Sequence, residues 1–182
     1  MTKVIAAINM TLDGYCDHTG GIADEALHDH YRQLISQGGA ILYGRVTYEL
    51  MQYWQDLALR PSGNPWMDDF AKAMDQIPKI VFSHSLKILD WPTASLATGS
   101  IEMQIIQLKA AMNRDILIGS PSLIVQSMQL GLVDELQLCI HPVILGKGLP
   151  LFKDITNRTL LKLLKSNPLP SGAIIHYYAP IK

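Results

Sequence analysis

Three short segments of the sequence bring glycine, hydroxyl and basic side chains to the ends of apolar runs, where a turn or a helical pattern follows. A turn from a strand into a helix points several backbone N–H groups and the positive end of the helix dipole at one place, which suits a phosphate. Glycine lets an anion approach the main chain, and an arginine guanidinium forks onto phosphate oxygens. The three segments are Gly44-Arg45-Val46-Thr47, Ser83-His84-Ser85 and Gly119-Ser120-Pro121-Ser122.

Each segment also has an ordinary structural interpretation. The Gly119 segment fits any strand-to-helix turn, and Arg45 can pair with Glu49 one helical turn away, a contact worth only about 0.3–0.5 kcal/mol on an exposed surface. Ligands of open α/β sheets bind beyond the carboxyl ends of the strands, so three such strand ends would share one rim. Their agreement favours a phosphate site. The predicted ligand-binding residues are Gly44, Arg45, Thr47, Ser83, His84, Ser85, Gly119, Ser120 and Ser122.

Four potential metal ligands, Cys16, His18, His28 and His30, lie within fifteen residues of the chain. His28 and His30 are two residues apart on a predicted helix and therefore face different directions, unlike the pair four residues apart on a zinc-binding helix. We therefore predict no metal site. The sequence also lacks the G-x-S-x-G elbow of many hydrolases and the phosphate-binding loop of NTPases.

The 182 residues are predicted to form one domain, residues 1–182, large enough to fold around its own core. The formal net charge is −1 without a basic block, which argues against nucleic-acid binding. The apolar start is typical of a strand rather than a signal peptide, and no run approaches the roughly 18 apolar residues of a membrane span. We expect a cytoplasmic protein in which Cys16 and Cys139 are reduced.

Short apolar runs rich in valine and isoleucine alternate with helical patterns, which is typical of an α/β sheet with helices on its faces. Strands are predicted at residues 3–9, 40–43, 79–83, 95–98, 115–118, 135–145, 159–165 and 173–179. Helices are predicted at residues 24–37, 44–51, 67–76, 100–112 and 121–130. Residues 52–70 are predicted to be a surface loop over the mouth of a pocket, or a dimer contact.

The last third of the chain shows a different pattern. No helix of ordinary length is evident after residue 132, and successive strands with short connections pair antiparallel. Apolar residues alternate there with Gln137, Cys139 and His141, which predicts a half-buried strand. The expected fold is therefore a mixed, mostly parallel central sheet with helices on both faces and an antiparallel C-terminal part. Ser100 and Ser120 are predicted to cap the helices that follow them.

Several motifs occur in a characteristic order, at residues 10–15, 44–49, 78–86, 118–121, 131–136 and 141–152. Among them G-R-x-T-Y-E, V-F-S and G-L-V-D-E-L are specific in combination, although each alone is not. Over nearly its whole length the sequence resembles the dihydrofolate-reductase-like family that includes the C-terminal reductase domain of the bifunctional riboflavin-biosynthesis deaminase-reductase. The resemblance implies a dihydrofolate-reductase-like α/β fold that binds NADPH, usually as a homodimer in the riboflavin branch.

The resemblance also assigns expected cofactor positions. Arg45 and Thr47 match positions that contact the cofactor phosphates, Ser83 and its neighbours match the position near the adenosine 2′-phosphate, and Gly119-Ser120 matches the glycine pair under the pyrophosphate. The family commonly has Gly-Gly and Ser-Arg-Thr where Gly119-Ser120 and Ser83-His84-Ser85 stand. A fixed positive charge near the 2′-phosphate is therefore lost, and the choice between NADPH and NADH stays open.

The substrate residues of the family are not matched. Riboflavin reductases usually follow the Leu-Asp-Gly motif with Ser-x-Trp-Ile, whereas this chain has Gly-Gly-Ile-Ala-Asp at residues 20–24. Folate reductases carry an acidic residue on the first helix, where His28 falls in this sequence with Asp29 beside it. Asp29, and Asp13 in the loop after the first strand, are therefore the candidate catalytic residues. Asp13 equally suits an ordinary Asp-Gly turn.

These residues and the resemblance together predict an NADPH-dependent reductase that delivers hydride to a C=N or C=O bond of a small heterocyclic or sugar-linked substrate. The nominal substrate by resemblance is 5-amino-6-(5-phosphoribosylamino)uracil, and a pterin is second. The alternative is a dinucleotide- or flavin-binding module without turnover. A metal-dependent hydrolase that uses His18, His28 and His30 is disfavoured by their spacing.

Overall fold

The computed structural model describes residues 2–181, and one eight-stranded sheet organises them. The strands are β1 (Val4–Thr11), β2 (Ala40–Gly44), β3 (Lys79–Phe82), β4 (Ala94–Leu96), β5 (Ile116–Ile118), β6 (Glu135–His141), β7 (Leu161–Pro168) and β8 (Ile174–Pro180). The helices are α1 (Glu25–Gln37), α2 (Arg45–Leu59), α3 (Pro65–Gln76), α4 (Ile101–Ala111) and α5 (Pro121–Gln129). No helix among these is long and apolar enough to cross a membrane.

The strand order is β4-β3-β2-β5-β1-β6-β8-β7. The first six strands in this order run parallel, while β8 pairs antiparallel with both β6 and β7. A parallel strand buried on both faces needs a continuous apolar run, which the start of β1 and all of β5 supply. The carboxyl ends of β1, β2 and β5 consequently lie side by side at one edge of the sheet.

Helices cover both faces of the sheet. On one face α4 and α5 bury Ile105 and Ile124 against inward side chains of β1, β2 and β5. On the other face α1, α2 and α3 bury Ile35, Tyr48 and Met74 against the opposite side chains of the same strands. The predicted fold class, a mostly parallel sheet with helices on both faces and an antiparallel C-terminal part, is confirmed.

The prediction of a surface loop at residues 52–70 is wrong. Helix α2 continues to Leu59 and α3 begins at Pro65, so that only residues 60–64 connect them. Proline at the first position of a helix is favourable because its missing N–H has no partner there in any case. The aromatic rings of Trp54 and Phe70 pack together across the two helices, with their centroids 4.5 Å apart.

Strand β6 is buried on both faces, and the prediction of a half-buried strand is also wrong. Gln137, Cys139 and His141 are as inaccessible as their apolar neighbours. Their face is covered by a small cluster that includes residues of α1 and β8, among them Leu27 and Ile175. The strand also ends at His141 rather than at residue 145.

Candidate functional site

A cavity of about 1310 Å³ opens at the carboxyl ends of β1, β2 and β5. Its walls come from the helices α1, α2, α3 and α5 and from the loops after β1 and β6. The site is therefore built where the parallel strands end, which is the usual ligand position in an open α/β sheet. Among the predicted ligand-binding residues, those that line it are Gly44, Arg45, Thr47, Gly119, Ser120 and Ser122.

The two strand-to-helix turns are tied to each other inside this cavity. The N–H of Gly44, at the end of β2, donates a hydrogen bond of 2.8 Å to Oγ of Ser120, which precedes α5. Because Ser120 is buried, this bond joins the two turns where water has little access. The contact fixes the first turn of α2 next to the first turn of α5.

The helices that begin at the cavity lack side-chain caps. Asp24 caps α1 by accepting a hydrogen bond from Leu27 N–H, and Ser100 caps α4 in the predicted way. Gly44 has no side chain with which to cap α2, and Ser120 uses its hydroxyl for Gly44 rather than for α5. The first N–H groups of α2 and α5 are therefore available to an anionic ligand, in the favourable field of two helix dipoles.

Glycine is needed at the two rim positions, residues 44 and 119, for different structural reasons. A Cβ atom on Gly44 would lie 3.7 Å from Ser122 Oγ and 3.8 Å from Ser120 Oγ, so the absent side chain leaves a gap between two hydroxyls. A Cβ atom on Gly119 would lie only 2.9 Å from Cε1 of the buried Tyr43. Gly44 thus leaves space at the rim, whereas Gly119 allows the turn to pack on β2.

Arg45 forms the predicted ion pair and also lines the cavity. It pairs with Glu49 at 2.9 Å, with about 45% of its side chain exposed. An exposed i, i+4 pair is weak, so an incoming phosphate can compete for the guanidinium at little cost. The ion pair and a phosphate-binding role are compatible.

The third predicted segment lies in a separate but adjoining cavity of about 220 Å³. Ser83 and His84 line this smaller space together with Gly99, and Phe82 lines both cavities. Ser83 Oγ accepts hydrogen bonds from the N–H groups of Ser85 and Leu86, which holds the turn after β3 in shape. Ser85 itself lines neither cavity.

The structure does not bring Asp13 or Asp29 to the cavity. Asp13 accepts hydrogen bonds from the hydroxyl of Thr11 and from the N–H groups of Leu145 and Gly146. These contacts, the Thr11 hydroxyl foremost, lower the pKa of Asp13 to about 2. Asp13 therefore joins the loop after β1 to the loop after β6, and it is ionised at neutral pH.

Asp29 is likewise occupied by neighbours on its own helix. It pairs with Arg32 at 2.6 Å and accepts a hydrogen bond from Gln33, and the bond from Arg32 is the largest cause of its lowered pKa. A carboxylate held ionised by an arginine is a poor proton donor. The structure gives Asp29 no contact with the cavity.

One wall of the cavity was not predicted as a whole from the sequence. It is lined by Asn9 on β1, by His28 and Tyr31 on α1, by Trp54 on α2 and by Phe70 on α3. The rings of His28 and Trp54 lie 5.5 Å apart and those of His28 and Phe70 lie 5.4 Å apart. The signals that the sequence offered were His28, at the position of the folate acid, and Asn9, a polar residue that interrupts the apolar run of β1.

The histidines of the first forty residues do not converge. His18 lines the cavity, His28 packs against its aromatic wall, and His30 turns the other way toward Tyr177. Among residues 2–181 no group of three or more histidine, cysteine, aspartate or glutamate side chains is arranged to hold a metal ion.

Comparisons with known proteins agree with this architecture. The family model described as the RibD C-terminal domain matches residues 2–175. The chain is 32% identical over 176 residues to the uncharacterized protein YyaP of Bacillus subtilis, covering 94% of this chain and 92% of that one. A putative riboflavin biosynthesis protein from Shewanella sp. PV-4 superposes with a TM-score of 0.76 at 20% identity over the full length of both chains. A dihydrofolate reductase from Enterococcus faecalis, solved with NADP(H) and RAB-propyl, gives a TM-score of 0.66 at 12% identity over 99% of this chain and 97% of that one.

The two rim glycines generate a stability prediction. Gly119→Ala forces a Cβ atom against buried Tyr43 and should lower the free energy of unfolding by about 1–3 kcal/mol, the usual penalty for overpacking. The added Cβ atom of Gly44→Ala meets only ordinary van der Waals contacts, and the φ of −78° at this residue suits alanine. The free energy of unfolding of this variant should therefore lie within about 0.5 kcal/mol of the wild-type value. Urea denaturation measures both. Equal losses in the two variants would contradict the geometry of the rim.

The contacts of Asp13 generate a pH prediction. Its pKa in the folded chain lies below the ordinary value of 3.8, so its contribution to stability is complete above that value and disappears as the pH falls toward about 2. Asp13→Asn should therefore melt below the wild type at neutral pH, and the difference in Tm should shrink as the pH falls below about 4. Thermal melts across this range test it. A difference that stays constant would show that the carboxylate does not hold the two loops.

Proposed function

This chain belongs to the RibD C-terminal domain family, and from that premise we propose that it is an NADPH-dependent reductase that delivers hydride to a C=N or C=O bond of a small heterocyclic compound. The observation that carries the proposal is the pair of uncapped helix N-termini, tied together by Gly44 and Ser120, at the rim of one cavity. Two adjacent helix starts suit a diphosphate, which carries two negative groups a few ångströms apart.

The residues of this chain fit a dinucleotide along the rim. In the proposal the first-turn N–H groups of α2 and α5 bind the diphosphate, with the Thr47 and Ser122 hydroxyls and the Arg45 guanidinium beside them. Gly44 keeps the space between the serine hydroxyls free for a phosphate oxygen. NADPH supplies the hydride, while the protein orients the reacting groups and excludes water.

In this proposal the adenosine end of the cofactor lies in the adjoining small cavity. Ser83 and His84 line it, and Ser85 supports the same turn through its hydrogen bond to Ser83. We assign the 2′-phosphate to this turn.

Asp13 acts in this proposal as a positioning residue. It holds the loop at residues 142–149 against the loop that follows β1, and the latter loop contributes residues to the cavity wall. Asp29 has no part in the proposed chemistry. By family resemblance the nominal substrate is 5-amino-6-(5-phosphoribosylamino)uracil, and a pterin is second.

A second candidate function is a dinucleotide- or flavin-binding protein without turnover. The observation that favours it is the absence of Asp13 and Asp29 from the cavity, since a reductase must also supply a proton to its acceptor. Following NADPH absorbance with dihydrofolate and with the riboflavin intermediate separates the two functions. Oxidation of NADPH with either compound supports the reductase, whereas tight cofactor binding without oxidation supports the binding protein.

Cofactor binding tests the proposed site directly. NADPH should raise the Tm of the wild type, because it binds the folded form. Arg45→Ala removes a charge-assisted contact worth about 1.5–3 kcal/mol and should weaken NADPH binding roughly tenfold or more. Gly44→Ala should also weaken it, because its Cβ fills the gap beside the serine hydroxyls. Isothermal titration calorimetry provides the dissociation constants.

Ser36→Ala, an exposed substitution on α1, serves as the matched control and should leave NADPH affinity unchanged. A wild-type Tm that does not move at millimolar NADPH or NADH would refute both the reductase and a protein that binds nicotinamide dinucleotides. If neither Arg45→Ala nor Gly44→Ala changes the affinity for NADPH, the diphosphate does not bind at this rim.

We also propose that the protein forms a homodimer through β7. This strand lies at the outer edge of the sheet, and seven of its eight residues are exposed. Its apolar residues Leu163 and Leu164 are each about half exposed, which is unusual for a strand that remains in water. An edge strand pairs readily with its own copy in a two-fold symmetric arrangement.

Replacing Leu163 and Leu164 together by lysine should convert the dimer to a monomer, because two lysine charges from each protomer would be buried at the interface. Ile88→Lys alters a still more exposed apolar residue outside β7 and provides the control. Light scattering after size exclusion gives the mass of each. A monomeric wild type would rule this proposal out.

A further inference from the structure

Asn9 is a polar side chain on the floor of the cavity. It lies on β1, which has a parallel neighbour on each side and would ordinarily be covered by helices on both faces. Asn9 is nevertheless exposed, because the cavity opens above it between the surrounding helices. An exposed amide in the middle of a sheet is in a position to meet a ligand.

The orientation of the Asn9 amide follows from which ring nitrogen of His141 carries the hydrogen. The N–H of Ile22 donates a hydrogen bond of 3.0 Å to Nδ1 of His141, so Nδ1 carries no hydrogen. In the neutral ring the hydrogen is then on Nε2, which lies 3.3 Å from Oδ1 of Asn9 and donates to it. Burial lowers the pKa of His141, which agrees with a neutral ring.

A second donor fixes the same oxygen. The hydroxyl of Tyr31 donates to Asn9 Oδ1 at 3.1 Å. Rotating the amide by half a turn would place its NH₂ group against the Nε2–H of His141, donor against donor. Asn9 Oδ1 is therefore turned toward His141 and Tyr31, and the NH₂ group, which has no hydrogen-bond partner among residues 2–181, is left for a ligand.

Gly21 makes this arrangement possible. A Cβ atom at residue 21 would lie 2.9 Å from Nε2 of His141, the atom that donates to Asn9. The glycine stands in the segment where this chain departs from the Ser-x-Trp-Ile pattern. This segment thus supports the polar network because the backbone at Gly21 can lie close to the His141 ring, and not through a side chain of its own.

The two hydrogen-bond partners of the Asn9 amide are uncharged, and one wall of the cavity is aromatic. Burial raises the pKa of Tyr31 well above its usual value, so both partners of Asn9 are neutral at neutral pH. The rings of His28, Trp54 and Phe70 form the nearby wall. Flat ligands pack well against such a wall, and an uncharged ligand is desolvated there at least cost.

We propose that Asn9 determines substrate specificity: its NH₂ group donates to a carbonyl oxygen of an uncharged, planar lactam-type ring held against the aromatic wall. This inference rests on the proposed function in taking the cavity as the substrate site, and it narrows the substrate to rings that present a carbonyl group. His141 and Gly21 are positioning residues, because they act only through Asn9.

Two pteridines that differ in hydrogen-bond polarity test the proposal. Lumazine presents two ring carbonyls as acceptors, whereas 2,4-diaminopteridine presents amino donors at the same positions. We would titrate each into the protein, with and without NADP⁺, and follow tryptophan fluorescence, since Trp54 lines the cavity. The wild type should bind lumazine roughly tenfold more tightly than 2,4-diaminopteridine, as expected for one matched against one mismatched hydrogen bond.

Asn9→Asp replaces two donors by acceptors in the same shape and should reverse this preference. Asn9→Ala should abolish the preference. If Asn9→Asp does not fold, the alanine variant alone still tests the proposal. Asn157→Asp makes the same change of charge at an exposed position outside the cavity and should behave as the wild type. A wild type without preference, or an unchanged preference in both Asn9 variants, would overturn the inference.

Binding of the cofactor separates this inference from the proposed function. If Asn9→Asp weakens NADPH but not 2′,5′-ADP, Asn9 contacts the nicotinamide amide instead, and the substrate assignment is wrong. If the wild type shows the lumazine preference but no affinity for NADPH, the specificity of Asn9 stands and the reductase function fails.

Discussion

A single hydrogen bond, from Gly44 N–H to Ser120 Oγ, links the two halves of the rim on which the proposed site depends. It can form because β2 and β5 are adjacent and parallel, so their carboxyl ends meet at one edge of the sheet. It also takes Ser120 away from its usual capping role. The same bond therefore positions α2 and α5 side by side and leaves the start of each helix open to an anion.

The opposite side of the cavity depends on longer-range contacts. Asn9 owes its orientation to His141, which lies 132 residues later in the chain and is oriented in turn by Ile22. The loops around the entrance are joined in a similar way, through Asp13 to Leu145 and Gly146. Each turn of the rim is thus local in origin, whereas the wall around Asn9 is assembled from distant segments.

This difference explains which features could be predicted from the sequence. Gly44, Arg45 and Ser120 follow apolar runs directly, and the rules for parallel sheets bring such turns to one edge. The fold class followed from the same alternation of patterns. The family resemblance added the cofactor, which no pattern of spacing alone would have named.

Other features required the three-dimensional structure. Residues 52–70 looked like a loop because proline and glycine punctuate them, yet Pro65 starts a helix and the aromatic residues form a wall of the cavity. Asp13 and Asp29 were reasonable acids by type and position, but local hydrogen bonds engage both. The exposure of Asn9 depends on a gap between helices, which sequence periodicity does not encode.

A crystal structure of the chain with NADPH would test the central claim most directly. We expect the diphosphate oxygens within hydrogen-bond distance of the first-turn N–H groups of α2 and α5, with Gly44 facing them and the nicotinamide directed toward the β1 side of the cavity. A dinucleotide bound elsewhere, or a diphosphate that contacts neither helix, would contradict the account.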